Sequence, residues 1–267
     1  MEVIAIANQK GGVGKTVTAS ALSAGLFLKG YRVLSIDMDA QRNFSFLLHI
    51  RGGNSPTILD VLTGEVAVDA AIQHTEQGDA ISSSPQLVAA DFLIKGSKRE
   101  YRLRNALEPL QETYDFAILD TPPALGTLTV NAFTAASSVV VPALADVFSV
   151  QGVLEFGETV RNVQQRSNPS LRHRGILITR HNDRSIINRD MVDTLKEAAQ
   201  REGVKVFSTA IHDTVVIREA AASGTNIFSY APKSKAAVDY MDFIEELLRD
   251  IKQERNGNNG SSKEEGF

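Results

Sequence analysis

Gln9-Lys10-Gly11-Gly12-Val13-Gly14-Lys15-Thr16 lies between an apolar run, Val3-Ile4-Ala5-Ile6-Ala7, and a helically patterned segment that begins near Thr16. A strand, a glycine-rich turn and a helix N-terminus together form a cradle for phosphate. Glycines let backbone N–H groups converge on anionic oxygens, and the helix dipole adds positive potential at the same place. Lys15 is placed to reach the β- and γ-phosphates of a nucleotide, and the Thr16 hydroxyl to ligate Mg²⁺. The common pattern G-x-x-x-x-G-K-[ST] would put its first glycine at position 9, where the chain has Gln9, and a second lysine, Lys10, stands inside the loop.

Outward from this loop, apolar runs alternate with helical patterns. A helix over Thr16–Lys29 is closed by Gly30, a residue suited to the position after a helix end. Strands are expected at Val33–Asp37, Phe116–Asp120, Ser138–Pro142 and Gly175–Thr179, with shorter ones at Ala80–Ser83 and Val204–Phe207. Several are continuous apolar runs, the mark of a parallel sheet buried on both faces. Helices are expected at Ile58–Leu62, within a polar region spanning Arg51–Glu65, and at Arg102–Thr113 and Val150–Gln165. A further helix is capped by Asp190 and runs to about Arg201, and a last one covers Lys235–Gln253, with Ala237, Met241, Ile244, Leu248 and Ile251 at helical spacing. This pattern predicts an α/β fold: a doubly wound, mostly parallel sheet flanked by helices, with ligand loops at the carboxyl ends of the strands. Residues 1–253 read as a single domain, and 254–267, polar and glycine-rich, as a disordered tail.

Composition narrows the function. The chain has 267 residues, 43% hydrophobic and 22% charged, as in an ordinary soluble domain. No apolar run reaches the roughly 20 residues of a membrane span, and the N-terminus lacks the basic and cleavage segments of a secretory signal. With no cysteine, a disulfide, a Cys₄ zinc site and a cysteine-ligated iron–sulfur cluster are all excluded. The formal net charge of −4 means that any nucleic-acid contact must use a local basic patch.

Two further segments carry carboxylates at strand ends. Asp37-Met38-Asp39-Ala40-Gln41-Arg42-Asn43 follows the second strand. Residues two apart point the same way while a strand persists and diverge once the chain leaves the sheet. Phe116-Ala117-Ile118-Leu119-Asp120-Thr121-Pro122-Pro123 delivers one carboxylate from an apolar strand into a turn stiffened by two prolines.

Together these segments resemble the ParA/MinD family of P-loop ATPases over about residues 1–250. Lys10–Thr16 is similar to that family's deviant Walker A motif, Asp37–Asn43 to its switch I, and Phe116–Pro123 to its Walker B and switch II. The likeness continues through Ala124-Leu125-Gly126 and Thr129–Ala132 to Val141-Pro142. Ala40 and Arg42 stand where the family has proline and glycine, and His212 and Ala222 where it often has proline. The resemblance implies ATP and Mg²⁺ as cofactors. The nucleotide would be held by Gly11, Gly12, Val13, Gly14, Lys15, Thr16 and Val17, with Thr179 and Arg180 at the base or ribose. The metal would be served by Thr16, Asp37 and Asp120. Lys10, Lys15 and Asp39 would be catalytic, Asp39 orienting the attacking water and Lys10 reaching across a homodimer to the partner's nucleotide.

The branch most resembled is the short, ParA/Soj-like partition ATPase without an N-terminal operator-binding domain. That implies a slow ATPase switch in the cytoplasm, associated with the nucleoid. It would bind nonspecific duplex DNA as an ATP dimer and respond to a ParB-type partner, serving a plasmid, mobile element or chromosome. Arg189, Lys196, Arg201, Lys205, Arg218, Lys233 and Lys235 form the pool of DNA-contacting residues. A MinD-like membrane-cycling ATPase needs a basic amphipathic C-terminal helix, but Asp242, Glu245, Glu246 and Asp250 load the last helix with acid. A synthetase of the same superfamily, acting on a small substrate, is the third reading. It fits the Gln41/Asn43 pattern and the Thr129–Asn131 segment less well.

Overall fold

The computed structural model describes residues 1–50 and 53–261, without the side chains at positions 148, 150, 153, 154 and 257–261. Its strands are β1 (Glu2–Ile6), β2 (Val33–Asp37), β3 (Ile72–Thr75), β4 (Gly78–Ile81), β5 (Phe116–Asp120), β6 (Ser138–Leu144), β7 (Arg172–His181) and β8 (Val206–His212). They form one sheet in the order β3-β4-β2-β5-β1-β6-β7-β8. Only the edge pair β3–β4 is antiparallel; the other pairs are parallel. The doubly wound α/β fold expected from the alternation is the fold observed.

The helices are α1 (Lys15–Leu28), α2 (Asn43–Leu47), α3 (Ile58–Thr63), α4 (Val68–Ala71), α5 (Ala90–Leu93), α6 (Arg102–Leu107), α7 (Thr127–Ala135), α8 (Val147–Arg166), α9 (Ile186–Arg201), α10 (Val215–Ala222), α11 (Ile227–Tyr230) and α12 (Lys235–Ser261). The twofold alternation of strand side chains assigns them to two cores. Val3, Ala5, Ala117 and Leu119 face a layer containing α3, α6, α7, α8 and α9. Ile4, Ile6, Phe116 and Ile118 face α1, α2, α11 and α12. β1, β2 and β5 are buried along their whole length, which is why they read as unbroken apolar runs. Within α12, Tyr240, Phe243, Ile244, Leu247 and Ile251 are all in the second core.

Several element boundaries differ from expectation. The helix expected over Arg102–Thr113 stops at Leu107 and tightens into a 3₁₀ turn at Glu108–Leu110. Pro109 has no amide to donate there and its ring crowds the preceding turn. Asp190 is not a cap: α9 begins one turn earlier, where Ser185 Oγ accepts from the Asn188 amide (3.2 Å). α8 starts at Val147, capped by Asp146. The strand expected at Ala80–Ser83 is Gly78–Ile81, the second arm of a hairpin. α12 is drawn to Ser261, past Gln253, and 262–267 lie outside the described residues, as does Arg51 of the expected polar region.

Candidate nucleotide site

Parallel strands deliver the key residues to one edge of the sheet. Register pairs Ile6 with Asp120 and Asp37 with Asp120, so the loop after β1 and the carboxylates ending β2 and β5 are neighbours. Within the loop, Gly12 (φ 73°) and Gly14 (φ 88°) are left-handed, a conformation that side-chain-bearing residues resist. A Cβ at Gly11 or Gly12 would meet nothing within 4 Å. The space above the loop is open to a ligand, and backbone conformation, not packing, requires glycine at position 12. Thr179 Oγ1 braces the loop from behind, donating to the carbonyls of Val13 (2.9 Å) and Ala143 (3.2 Å). The one hydroxyl proton of Thr179 is therefore shared between backbone carbonyls of the loop and of β6 and is not directed at a bound base. Arg180 is exposed, left-handed at φ 53°, and 3.7 Å from Asp213.

Lys15 is buried, with Nζ 3.3 Å from the Lys10 carbonyl. Burial lowers its pKa, against the pull of Asp120 and Asp39. Asp120 is fully enclosed and neither carboxylate oxygen has a hydrogen-bond partner among the described residues. Burial, with Asp37 alongside, pushes its carboxyl well above the usual range. Asp37 is pushed up to about 6, chiefly by burial, although Ser45 Oγ and N (both 2.7 Å) and the Asp39 amide (3.0 Å) donate to it. Orphaned carboxyl oxygens beside the Thr16 hydroxyl and an open phosphate cradle fit a Mg²⁺–nucleotide. Among the described residues no three acidic or histidine side chains form a cage for a metal by themselves. That suits Mg²⁺, which is typically bound through one or two carboxylates plus phosphates and waters.

Three residues of this site were not legible as functional. Ser45 donates to Asp37 and accepts from the Ser83 amide (3.1 Å), while Ser83 Oγ donates to the Asp39 carbonyl (2.5 Å). Switch I is thus tied to the end of β4, and the only available signal was the serine run Ser82-Ser83-Ser84 after a short strand. The third is Asp146. Its Oδ2 meets Lys10 Nζ at 2.5 Å and its Oδ1 accepts from the Ser149 amide at 2.8 Å. Burial pushes its carboxyl up, but the Lys10 ammonium and the Ser149 amide outweigh that and hold it below the usual range.

The seven basic residues considered for DNA are all exposed, but they do not share one end of the molecule. α9 runs back from the carboxyl edge of the sheet, so Arg189 lies near the nucleotide edge while Arg201, like Lys205 ahead of β8, lies at the opposite edge. Lys205 is also held by Glu246 (2.9 Å) and Asp250 (2.6 Å). Lys196 lies 3.6 Å from Asp193 on α9. On the nucleotide side, Arg218 pairs with Asp213 (3.0 Å) and Lys235 with Asp239 (3.0 Å), and Lys233 precedes α12. His212 bridges Asp239 (2.8 Å) and Asp183 (2.7 Å).

A parallel α/β sheet with a glycine cradle, a buried lysine and paired strand-end carboxylates defines a P-loop ATPase. The family model described as "AAA domain" matches residues 1–173. The chain is 37% identical over 250 residues to the sporulation initiation inhibitor protein Soj of Bacillus subtilis, covering 92% of this chain and 98% of that one. It is 36% identical over 254 residues to the chromosome partitioning protein ParA of Caulobacter vibrioides, covering 93% and 94%. The protein belongs to the Soj/ParA family of partition ATPases. Among solved structures, cobyrinic acid a,c-diamide synthase from Mycobacterium smegmatis with bound ADP and magnesium superimposes with a TM-score of 0.82 at 35% identity, covering 94% of this chain and 96% of that one. The septum site-determining protein MinD from Pyrococcus horikoshii, at 24% identity and a TM-score of 0.76 over 94% and 98% of the two chains, shares the fold.

Proposed function

We propose that this chain is a Mg²⁺-dependent, slowly hydrolysing ATP switch that partitions DNA. It dimerises around ATP, binds duplex DNA without sequence preference in that state, and is released when a ParB-type partner stimulates hydrolysis. The observation that carries this reading is a second lysine, Lys10, beside a complete cradle of Gly11–Gly14, Lys15 and Asp120. The names of the Soj and ParA relatives support the task.

In this reading the Gly11, Gly12, Val13 and Gly14 amides and Lys15 bind the β- and γ-phosphates, with Val17 behind them on α1. Thr16, Asp120 and, around the shell, Asp37 hold Mg²⁺, which when bound neutralises charge on the phosphate oxygens. Asp39 orients water, and Lys10 of each protomer stabilises charge developing on the other's transferring phosphoryl group. Thr179 supports the cradle, and Arg180 is left as the base or ribose contact. For DNA, Arg189, Arg218, Lys233 and Lys235 form the coherent set, with Lys196 at its margin, and Arg201 and Lys205 are set aside. A phosphate patch of this kind loses affinity steeply with salt. The site of action is the nucleoid in the cytoplasm.

The membrane-cycling alternative requires an exposed apolar face on the last helix, and in α12 that face is buried in the core. Among the described residues no helix is long and apolar enough to cross a membrane. The small-substrate synthetase reading is supported by the likeness to the cobyrinic acid a,c-diamide synthase of Mycobacterium smegmatis. ATPase assays with duplex DNA, with the ParB-type partner and with carboxylate metabolites separate the readings. Turnover should rise with DNA and partner together, and Lys15→Ala should abolish nucleotide binding. Turnover that depends on a metabolite, or binding to anionic vesicles in preference to DNA, would overturn the proposal.

A further inference from the structure

Lys10 is held in its own protomer. Asn8 anchors the front of the loop, donating to the Pro142 carbonyl (2.8 Å) and accepting from the Lys10 amide (2.9 Å). Lys15 Nζ lies on the Lys10 carbonyl. With the backbone of residue 10 fixed from both sides, its side chain is the part that can swing. That side chain ends on Asp146, 2.5 Å away, with both partners about one-third exposed (35% and 33%). Asp146 cannot readily follow it, because its other oxygen caps α8 at the Ser149 amide. A cleft of about 320 Å³, lined by Asn8, Gln9, Ser149 and Gly152 among others, gives the lysine room to leave.

We propose that Asp146 is a positioning residue for Lys10: it keeps the lysine in cis and thereby sets the threshold for forming the ATP dimer. The inference rests on the trans role proposed above for Lys10. One ammonium cannot neutralise both Asp146 and the partner's triphosphate, so each protomer must open its own pair, and leave Asp146 without its cation, before the dimer closes. Two pairs open per dimer, which doubles the effect of each.

The test uses Asp146→Asn and Asp146→Ser in the full chain. Asn and Ser both retain helix-capping ability and remove the charge. The half-dimerisation concentration is measured by analytical ultracentrifugation with Mg²⁺ and a non-hydrolysable ATP analogue, and monomer affinity with a fluorescent ATP analogue. Both variants should dimerise at about 3- to 20-fold lower protein concentration, the range expected when two partly exposed ion pairs are removed, with unchanged nucleotide affinity. A lowered threshold is an outcome that loss of a merely structural cap would not produce. An unchanged or raised threshold overturns the proposal, as does loss of helix content in both variants. If Lys10→Ala alone dimerises like the wild type, the trans reading itself has failed and the inference falls with it. If Lys10→Ala stays monomeric while Asp146→Asn gains nothing, only the latch is wrong.

Discussion

Asp120→Asn should make the nucleotide-free protein more stable while destroying its response to Mg²⁺–ATP. The Asp120 side chain is 1% exposed and neither oxygen has a hydrogen-bond partner among the described residues. A buried carboxyl group left unsatisfied costs about 1–3 kcal/mol. Asparagine keeps the shape and cannot ionise. The gain is limited because Lys15, whose ammonium Asp120 favours, loses that support. The expected net is about 1–2 kcal/mol, or roughly 2–8 °C in Tm for a chain of this size. With nucleotide at about 100 times its Kd, the wild type gains about 2.7 kcal/mol and the variant little, so the order of the two melting curves reverses. Thermal denaturation followed by circular dichroism, with and without Mg²⁺ and a non-hydrolysable ATP analogue, reads both halves. The reasoning is refuted if the variant melts lower without nucleotide, or if it gains the same shift as the wild type.

Asp39→Ala should leave an ATP-locked dimer, visible as a slower return to monomer in gel filtration after ATP chase; faster dissociation than wild type would remove Asp39 from its assigned role. Arg42→Gly should relieve left-handed strain of about 1 kcal/mol at φ 59° and raise basal ATP hydrolysis, whereas an unchanged rate would show that the loop's conformation does not limit the switch. Glu246 is held at about 2 by the Ser208 and Thr209 amides, their hydroxyls and Lys205, which outweigh its burial. Its folded pKa is depressed, so its contribution is complete above about pH 4.5 and fades as pH falls toward 2. From that shift Glu246→Gln should cost up to about 3 kcal/mol at pH 7, and the gap between the two urea midpoints should narrow below pH 4.5. A constant gap would contradict this.

Most of the fold was legible because β1, β2 and β5 are buried on both faces and so spell uninterrupted apolar runs. The first arm of the hairpin, β3, was not: Ile72-Gln73-His74-Thr75 lies at an edge and is half polar. α7, α10 and α11 were missed because they are short, and α7 is buried nearly all round, which erases the polar face that marks a surface helix. α9's start was misplaced because Ser185 and Asp190 are both acceptable caps, and only the packing of Val192, Leu195 and Ala199 decides how many turns precede them.

The sequence by itself determined the phosphate cradle, since Gly11–Thr16 are contiguous and backbone conformation and helix dipole act locally. It also placed a carboxylate at the end of each of two strands. Only the tertiary structure decided that Asp37 and Asp120 are register partners, that the Asp120 carboxyl finds no hydrogen-bond partner among the described residues, that Thr179 faces the loop's back, and that Lys10 meets a carboxylate 136 positions away. These contacts depend on strand order and on which helix caps where. Both follow from burying two faces of a sheet at once, a property of the whole chain that no local stretch contains.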